Sequence, residues 1–338
     1  MIETWSKSEQ LNPALGSTRL YLGGGFNEET KSMLITEGSA TDIAALESTQ
    51  QEADTRVMLH AIYSVHNEGV DRVVIHGNDT DIIVICLYYA ASILEYLPEL
   101  WVRTAAETYL PIHQMAKVLG PSKYRTLPFI HSFSGRATTS YPFFTCKKTW
   151  LNCRYAIDIP ELERFGEEGQ NSYQITSDFI NQARELVIAV YTNRSEAFED
   201  CDLAKLRAYK FLNNRSTMLK LLSPTEHAYL LHLQRAALAT IIDKTAHVAK
   251  PQLPPFVDYV WALEEGKLVP VLSTQPAWPQ TITQAFACDC TKGCNRNCSC
   301  ARKNVACYIG CRCQGSDTKC SRVKYTETFD NSDSDGDN

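Results

Sequence analysis

The chain has 338 residues, 44% hydrophobic and 10% aromatic, so it can bury one large core and still leave room for a small module. Its opening, MIETWSKSEQ, has no basic stretch followed by an apolar one, and no apolar run reaches the ~18 residues of a membrane span, so neither secretion nor a membrane partner is expected. The formal charge of −6 is unevenly spread: residues 288–324 hold eight basic and two acidic side chains, residues 325–338 hold five acids and no base, and the body before them is left at −7, which is no platform for nucleic acid on net charge alone.

In chain order, Leu20-Tyr21-Leu22 reads as a short strand running into Gly23-Gly24-Gly25. With no Lys-Ser/Thr behind them, these glycines are a strand-ending loop rather than a phosphate cradle. Asp42 stands in SATDIAAL, which has no strand pattern. From Ala53 to His66, Val57, Leu59, Ala61, Ile62 and Val65 fall at amphipathic-helix spacing, and Asn67-Glu68-Gly69 supplies a stop. Arg72 to His76 is a β-branched run that reads as a buried strand, and a helix followed by such a strand points to an α/β unit. Ile82 to Leu94 is almost wholly apolar and is expected to be a buried helix with Cys86 as an inert core thiol. Pro111 is expected at the first position of a helix to Leu119. Ser223-Pro224-Thr225-Glu226 reads as a capping box that opens a long helix towards Val248. His60, His66, His76, His113 and His131 lack metal-ligand spacing and are expected to be packed or surface imidazoles.

The expected fold class is therefore α/β over residues 1–150, then a mostly helical extension over 151–250 and a Pro-rich connector over 251–287, pinned to the body by Trp261 and Trp278. A small cysteine module follows at 288–324. The acidic tail, 325–338, has too little apolar content to offset the entropy of ordering.

Of the 13 cysteines, Cys288, Cys290, Cys294, Cys298, Cys300, Cys307, Cys311, Cys313 and Cys320 crowd into 33 residues, a clustering that in a reducing compartment reads as metal ligation rather than disulfides. Structural zinc takes four thiolate or imidazole ligands, and no histidine lies in this stretch. Two ions with four cysteines each would leave one cysteine spare. Three ions need twelve ligand positions, which nine cysteines supply if three of them bridge, and the short C-x-C pairs favour that arrangement. In a segment so poor in apolar residues, metal binding would itself be the folding free energy.

The run CDCTKGCNRNCSCARKNVACYIGCRCQGSDTKC resembles the tesmin-type CXC domain, in the single-copy form found at the ends of transposon-type reading frames. The resemblance implies a cluster of three Zn2+ ions on nine cysteines and, in several relatives, DNA binding. In that type a tyrosine that enters the minor groove precedes the second C-x-C; Asn297 stands there in this chain.

Two acidic pairs stand out in the body. Glu52 and Asp54 open the first helix, and Asp79 and Asp81 follow the Arg72 to His76 strand. Close carboxylates at the edge of an α/β sheet can hold Mg2+ or Mn2+ for phosphodiester hydrolysis, whereas each pair alone is equally consistent with helix capping and the macrodipole. The run EADTR, then VVIHGNDTDIIVICLYYA, LPIHQMAKVLG and LPFIHSFSGRATTS, is similar to the flap-endonuclease (XPG-like) branch of PIN-fold nucleases over roughly residues 18–150. The resemblance implies a partial PIN-like domain in which Glu52, Asp54, Asp79 and Asp81 are remnant metal ligands. It also implies a further aspartate where Gly135-Arg136-Ala137 has Ala137, and earlier aspartates for which residues 1–51 offer only Asp42.

The functional expectation is a transposon-derived, zinc-binding protein with a degenerate nuclease domain, a possible DNA or protein partner for the CXC module, no small-molecule cofactor and a nuclear location. An active structure-specific nuclease working with one metal ion and a protein-interaction scaffold are the two alternatives.

Overall fold

In a computed structural model, residues 15–322 are described apart from 38, 106, 141–144, 155–158, 168–172, 193–201, 214–221, 277–286, 292, 304–306, 308–310 and 315–319. Trp278, Cys201 and the acidic tail lie outside the described residues. Helices mix with small sheets, as the α/β expectation requires. The chain forms two compact units that cut across the linear divisions: residues 1–193 with 230–271, and residues 194–229 with 272–338.

The first unit begins with an antiparallel meander of β1 (Leu20–Gly23), β2 (Ser32–Thr36) and β3 (Ser39–Asp42). β3 corrects the expectation that Asp42 lies outside a strand: Asp42 pairs with Met33 across the sheet, and its exposed carboxylate bonds the Lys31 Nζ at 3.0 Å. A four-residue edge strand made of Ser, Ala, Thr and Asp has no apolar alternation to announce it.

Helix α1 (Ala53–Glu68) then leads through Gly69, in the left-handed region at φ 62°, to strand β4 (Arg72–His76), helix α2 (Thr80–Ile93) and strand β5 (Glu99–Arg103). β4 and β5 are parallel, with Ile75 opposite Val102, so α2 is the crossover that parallel strands require. Strand β6 (Tyr109–Pro111) adds to β5 in the antiparallel sense. Pro111 ends this strand and caps helix α3 (Ile112–Leu119), one position before its expected place inside the helix.

The core of this unit forms where Met58 and Val65 of α1, Ile75 of β4, Ile85, Cys86 and Ile93 of α2, and Leu100 and Val102 of β5 meet. Burial pushes the Cys86 thiol up to about 12, so it is the inert core thiol expected. Helix α4 (Pro121–Phe133) packs on α2 and, with α5 (Lys147–Arg154), α6 (Pro160–Arg164) and α7 (Ser177–Thr192), makes a helical layer. There Trp150 is fully buried edge-on against Phe133 at 5.4 Å.

The long helix α9 (Glu226–Lys244) follows α8 (Leu203–Asn213). Thr225 rather than Ser223 caps α9: its Oγ1 accepts from the Ala228 N–H at 3.2 Å. The Ser223 hydroxyl instead donates to the Leu203 carbonyl at 3.5 Å. The connector is not featureless. Trp261–Glu264 and Lys267–Pro270 form a hairpin, β7 and β8, turned by Glu265 and Gly266 at φ 48° and 77°.

The second unit contains the cysteine module. The regular element of the module among its described residues is one helical turn, α10 (Ser299–Arg302), with sulfur in place of an apolar core: eight of the nine cysteines are buried, and Cys290 is half-buried.

Candidate functional site

The thiols converge. Four groups of four, each with sulfurs within 4.8 Å of one another, are Cys288-Cys290-Cys294-Cys298, Cys288-Cys298-Cys300-Cys307, Cys288-Cys307-Cys311-Cys313 and Cys294-Cys307-Cys313-Cys320. Every one of the nine expected cysteines belongs to at least one group. Nearest separations are 3.7 Å for Cys288 to Cys294, 3.9 Å for Cys288 to Cys307 and to Cys313, 3.8 Å for Cys298 to Cys307, and 3.5 Å for Cys300 to Cys311. A Zn–S bond of ~2.3 Å in a tetrahedron sets an S···S edge of about 3.8 Å, so the donor set fits zinc in both chemistry and spacing.

Backbone geometry makes the convergence possible. Gly293, at φ 88°, turns the chain before Cys294, where a Cβ would approach the Ser321 hydroxyl at 3.3 Å. That hydroxyl donates to the Cys294 carbonyl at 2.6 Å, and the Arg312 N–H donates to the Cys288 carbonyl at 2.9 Å, so the first, middle and last parts of the module are tied together. The Arg322 guanidinium lies 3.8 Å from the Cys307 sulfur and 4.0 Å from that of Cys298, a cation placed over two thiols. Arg296, Arg302, Lys303 and Arg312 are exposed on the module's surface.

In the first unit the acidic residues also come together. Carboxylate oxygens of Asp54, Asp79 and Asp81 lie within 4.8 Å of one another, Asp54 from the first turn of α1 and the other two from the start of α2. Glu52, at the α1 N-cap position, is exposed and is not in this group. Asp79 also caps α2, its Oδ1 accepting from the Asp81 N–H at 3.1 Å. Burial, then the charges of Asp79, Asp81 and Glu52, raise the Asp54 carboxyl above its ordinary value.

Asp81 is already engaged on both oxygens. Its Oδ1 accepts from His131 Nε2, and its Oδ2 meets the Arg136 guanidinium at 2.5 Å. Burial works to raise this carboxyl, but the His131 bond and the Arg136 charge outweigh it and hold it below the usual range. The second amino arm of Arg136 reaches both oxygens of Asp243 on α9, at 3.0 and 2.9 Å. Lys147, at the start of α5, completes the surround: its ammonium donates to the Gly135 carbonyl at 2.5 Å and to the His131 carbonyl at 3.1 Å, and lies 3.1 Å from His131 Nδ1. Burial brings that ammonium down to about 8.

Mg2+ or Mn2+ at this point would need bare carboxylate oxygens at ~2.0–2.1 Å in an octahedron. Arg136 and His131 hold both oxygens of Asp81, so an ion here would have to compete with a guanidinium charge already in place. Ala137 adds no carboxylate, and Asp42 is tied up with Lys31. Sequence reading placed Arg136 next to the expected ligand position but missed Asp243 and His131. Asp243 lies 107 residues from its partner in a helix with several other polar residues, and His131 is one of several histidines without a spacing signal, so only the fold pairs them.

A separate cleft of about 580 Å³ lies among α1, β1 and β4, lined in part by Tyr21, Arg56, His60, Ser64 and His76. The Arg56 guanidinium there is spent on the carbonyls of Glu29, Ser48 and Gln50, so it holds the chain rather than a ligand.

No family model, curated protein or solved structure matches the chain.

Proposed function

We propose that this is a non-catalytic, transposon-derived protein whose C-terminal CXC-type module folds around three zinc ions and binds DNA, with a nucleus as its place of work. The observation that carries the reading is the sharing of thiols between four-sulfur groups. Cys288 and Cys307 each belong to three of the four groups, and Cys294, 3.7 Å from Cys288, belongs both to the group with Cys290 and to the group with Cys313 and Cys320. Taking these three as bridges leaves Cys290 with Cys298, Cys300 with Cys311, and Cys313 with Cys320 as terminal pairs, which gives each of three ions four thiolates. The ions supply the folding free energy of a segment that has no apolar core of its own.

DNA contact is supported by the exposed Arg296, Arg302, Lys303 and Arg312 around the cluster. Three to four phosphate contacts would make affinity fall about 40- to 150-fold between 50 and 200 mM salt. Fluorescence anisotropy of the zinc-loaded protein with labelled duplex at these two concentrations tests the reading. A steep fall that becomes shallower in Arg296→Gln supports it, and salt-independent or absent binding returns the module to a protein-docking role.

The lack of catalysis follows from Arg136 holding the carboxylate that a nuclease metal would need. The test is incubation with branched and linear DNA in Mn2+. Intact DNA is expected, and cleavage lost in Asp79→Ala would overturn the reading.

A further inference from the structure

We propose that Arg136 is the resident cation of the acidic pocket, so that the first unit folds with a guanidinium where a divalent ion would otherwise neutralise Asp54, Asp79 and Asp81. Three carboxylates within 4.8 Å repel one another and need a positive partner. The partner supplied is covalent. Arg136 is largely buried and extends one arm to Asp81 Oδ2 at 2.5 Å and the other to both oxygens of Asp243 at 2.9 and 3.0 Å.

Asp243, only 1% exposed, would be an uncompensated buried charge without this guanidinium, so α9 and the pocket depend on the same side chain. His131 closes the remaining oxygen of Asp81 and is held in turn by Lys147. The ring thus sits between the Asp81 carboxylate on Nε2 and the Lys147 ammonium on Nδ1, and ties both to one network. The disagreement with a metal site is thus a substitution: the charge is kept and its carrier is changed. One amino-acid side chain joins α2, the segment after α4, and α9, a span that a small ion bound only by the α1 and α2 acids would not bridge.

The inference rests on the pocket being metal-free, and it can fail while the non-catalytic reading survives. The test follows thermal unfolding and the electron paramagnetic resonance of free Mn2+ with zinc-loaded, full-length protein, in the presence and absence of Mn2+. The wild type is expected neither to take up Mn2+ nor to shift in melting temperature. Arg136→Gln is expected to melt roughly 10 °C lower, the scale of a buried pair losing one partner, to bind Mn2+ and to recover part of the loss when it does. Arg136→Lys, which keeps a cation, should stay indifferent to Mn2+ even if it is less stable. Mn2+ uptake by the wild type that disappears in Asp79→Asn overturns the inference without any folded Arg136 variant. If that uptake comes without DNA cleavage, the non-catalytic reading still stands.

Discussion

His232 is held as a neutral ring: its Nε2 donates to the Phe133 carbonyl at 2.7 Å, and its Nδ1 accepts from the Ser140 hydroxyl at 3.1 Å. Burial pushes its pKa down to about 4. The unfolded chain protonates this ring near pH 6.5 and the folded one does not, so the folded state loses ground as pH falls from about 6.5 towards 4. Urea unfolding at pH 7 and pH 5 should show a loss of roughly 1–3 kcal/mol, reduced in His232→Gln. An equal loss in that variant would move the pH dependence elsewhere. Arg322 is the other residue whose position makes a prediction. Placed over Cys298 and Cys307, it offsets the negative charge of two thiolates, and hydrogen bonds to ligating sulfur commonly change metal affinity by about 10- to 100-fold. Zinc release to a chelator should therefore be faster in Arg322→Ala, with Arg322→Lys in between, and unchanged kinetics would make the contact incidental.

At the scale of elements, the docking of α9 against α2 turns on the Tyr89 hydroxyl. It donates to the Lys244 carbonyl at 2.6 Å, accepts from the His247 N–H at 3.3 Å and lies 2.8 Å from His247 Nδ1. Tyr89→Phe leaves these buried groups unmet and should lower stability by about 1–3 kcal/mol in chemical unfolding; no change would mean that water or a side-chain shift replaces the hydroxyl. The elements that the sequence revealed are those with strong local signals. β4 has the expected bounds, α2 is the apolar helix, and α1 ends two residues beyond its expected stop because Gly69 supplies the left-handed turn. What stayed hidden depended on distant partners or weak patterns. The β7–β8 hairpin has its turn signal in Glu265-Gly266, but its strands sit among prolines that suggest a linker. The start of α9 was displaced by two residues because two hydroxyls offer themselves as caps and the fold uses Thr225.

For the whole molecule, two units with different sources of stability follow from one chain. The first is built on an apolar core crossed by the Asp81–Arg136–Asp243 ion pairs; in the cysteine module of the second, sulfur stands where a core would be. The convergence of the nine cysteines was legible because thiolate ligation leaves a spacing pattern in sequence. The Asp81–Arg136–Asp243 ion pairs were not, because they need residues of α2, the segment after α4 and α9 in one place. Chelation should therefore unfold the cysteine module and leave the first unit's near-ultraviolet circular dichroism unchanged; joint loss of both signals would contradict separate stabilisation. The most direct test of the account is native mass spectrometry of the zinc-loaded chain with titration of the remaining thiols. Three zinc ions per chain, with Cys288, Cys294 and Cys307 all protected from alkylation, is the result predicted. Two ions with one of the nine module cysteines reactive, or none at all, would contradict it.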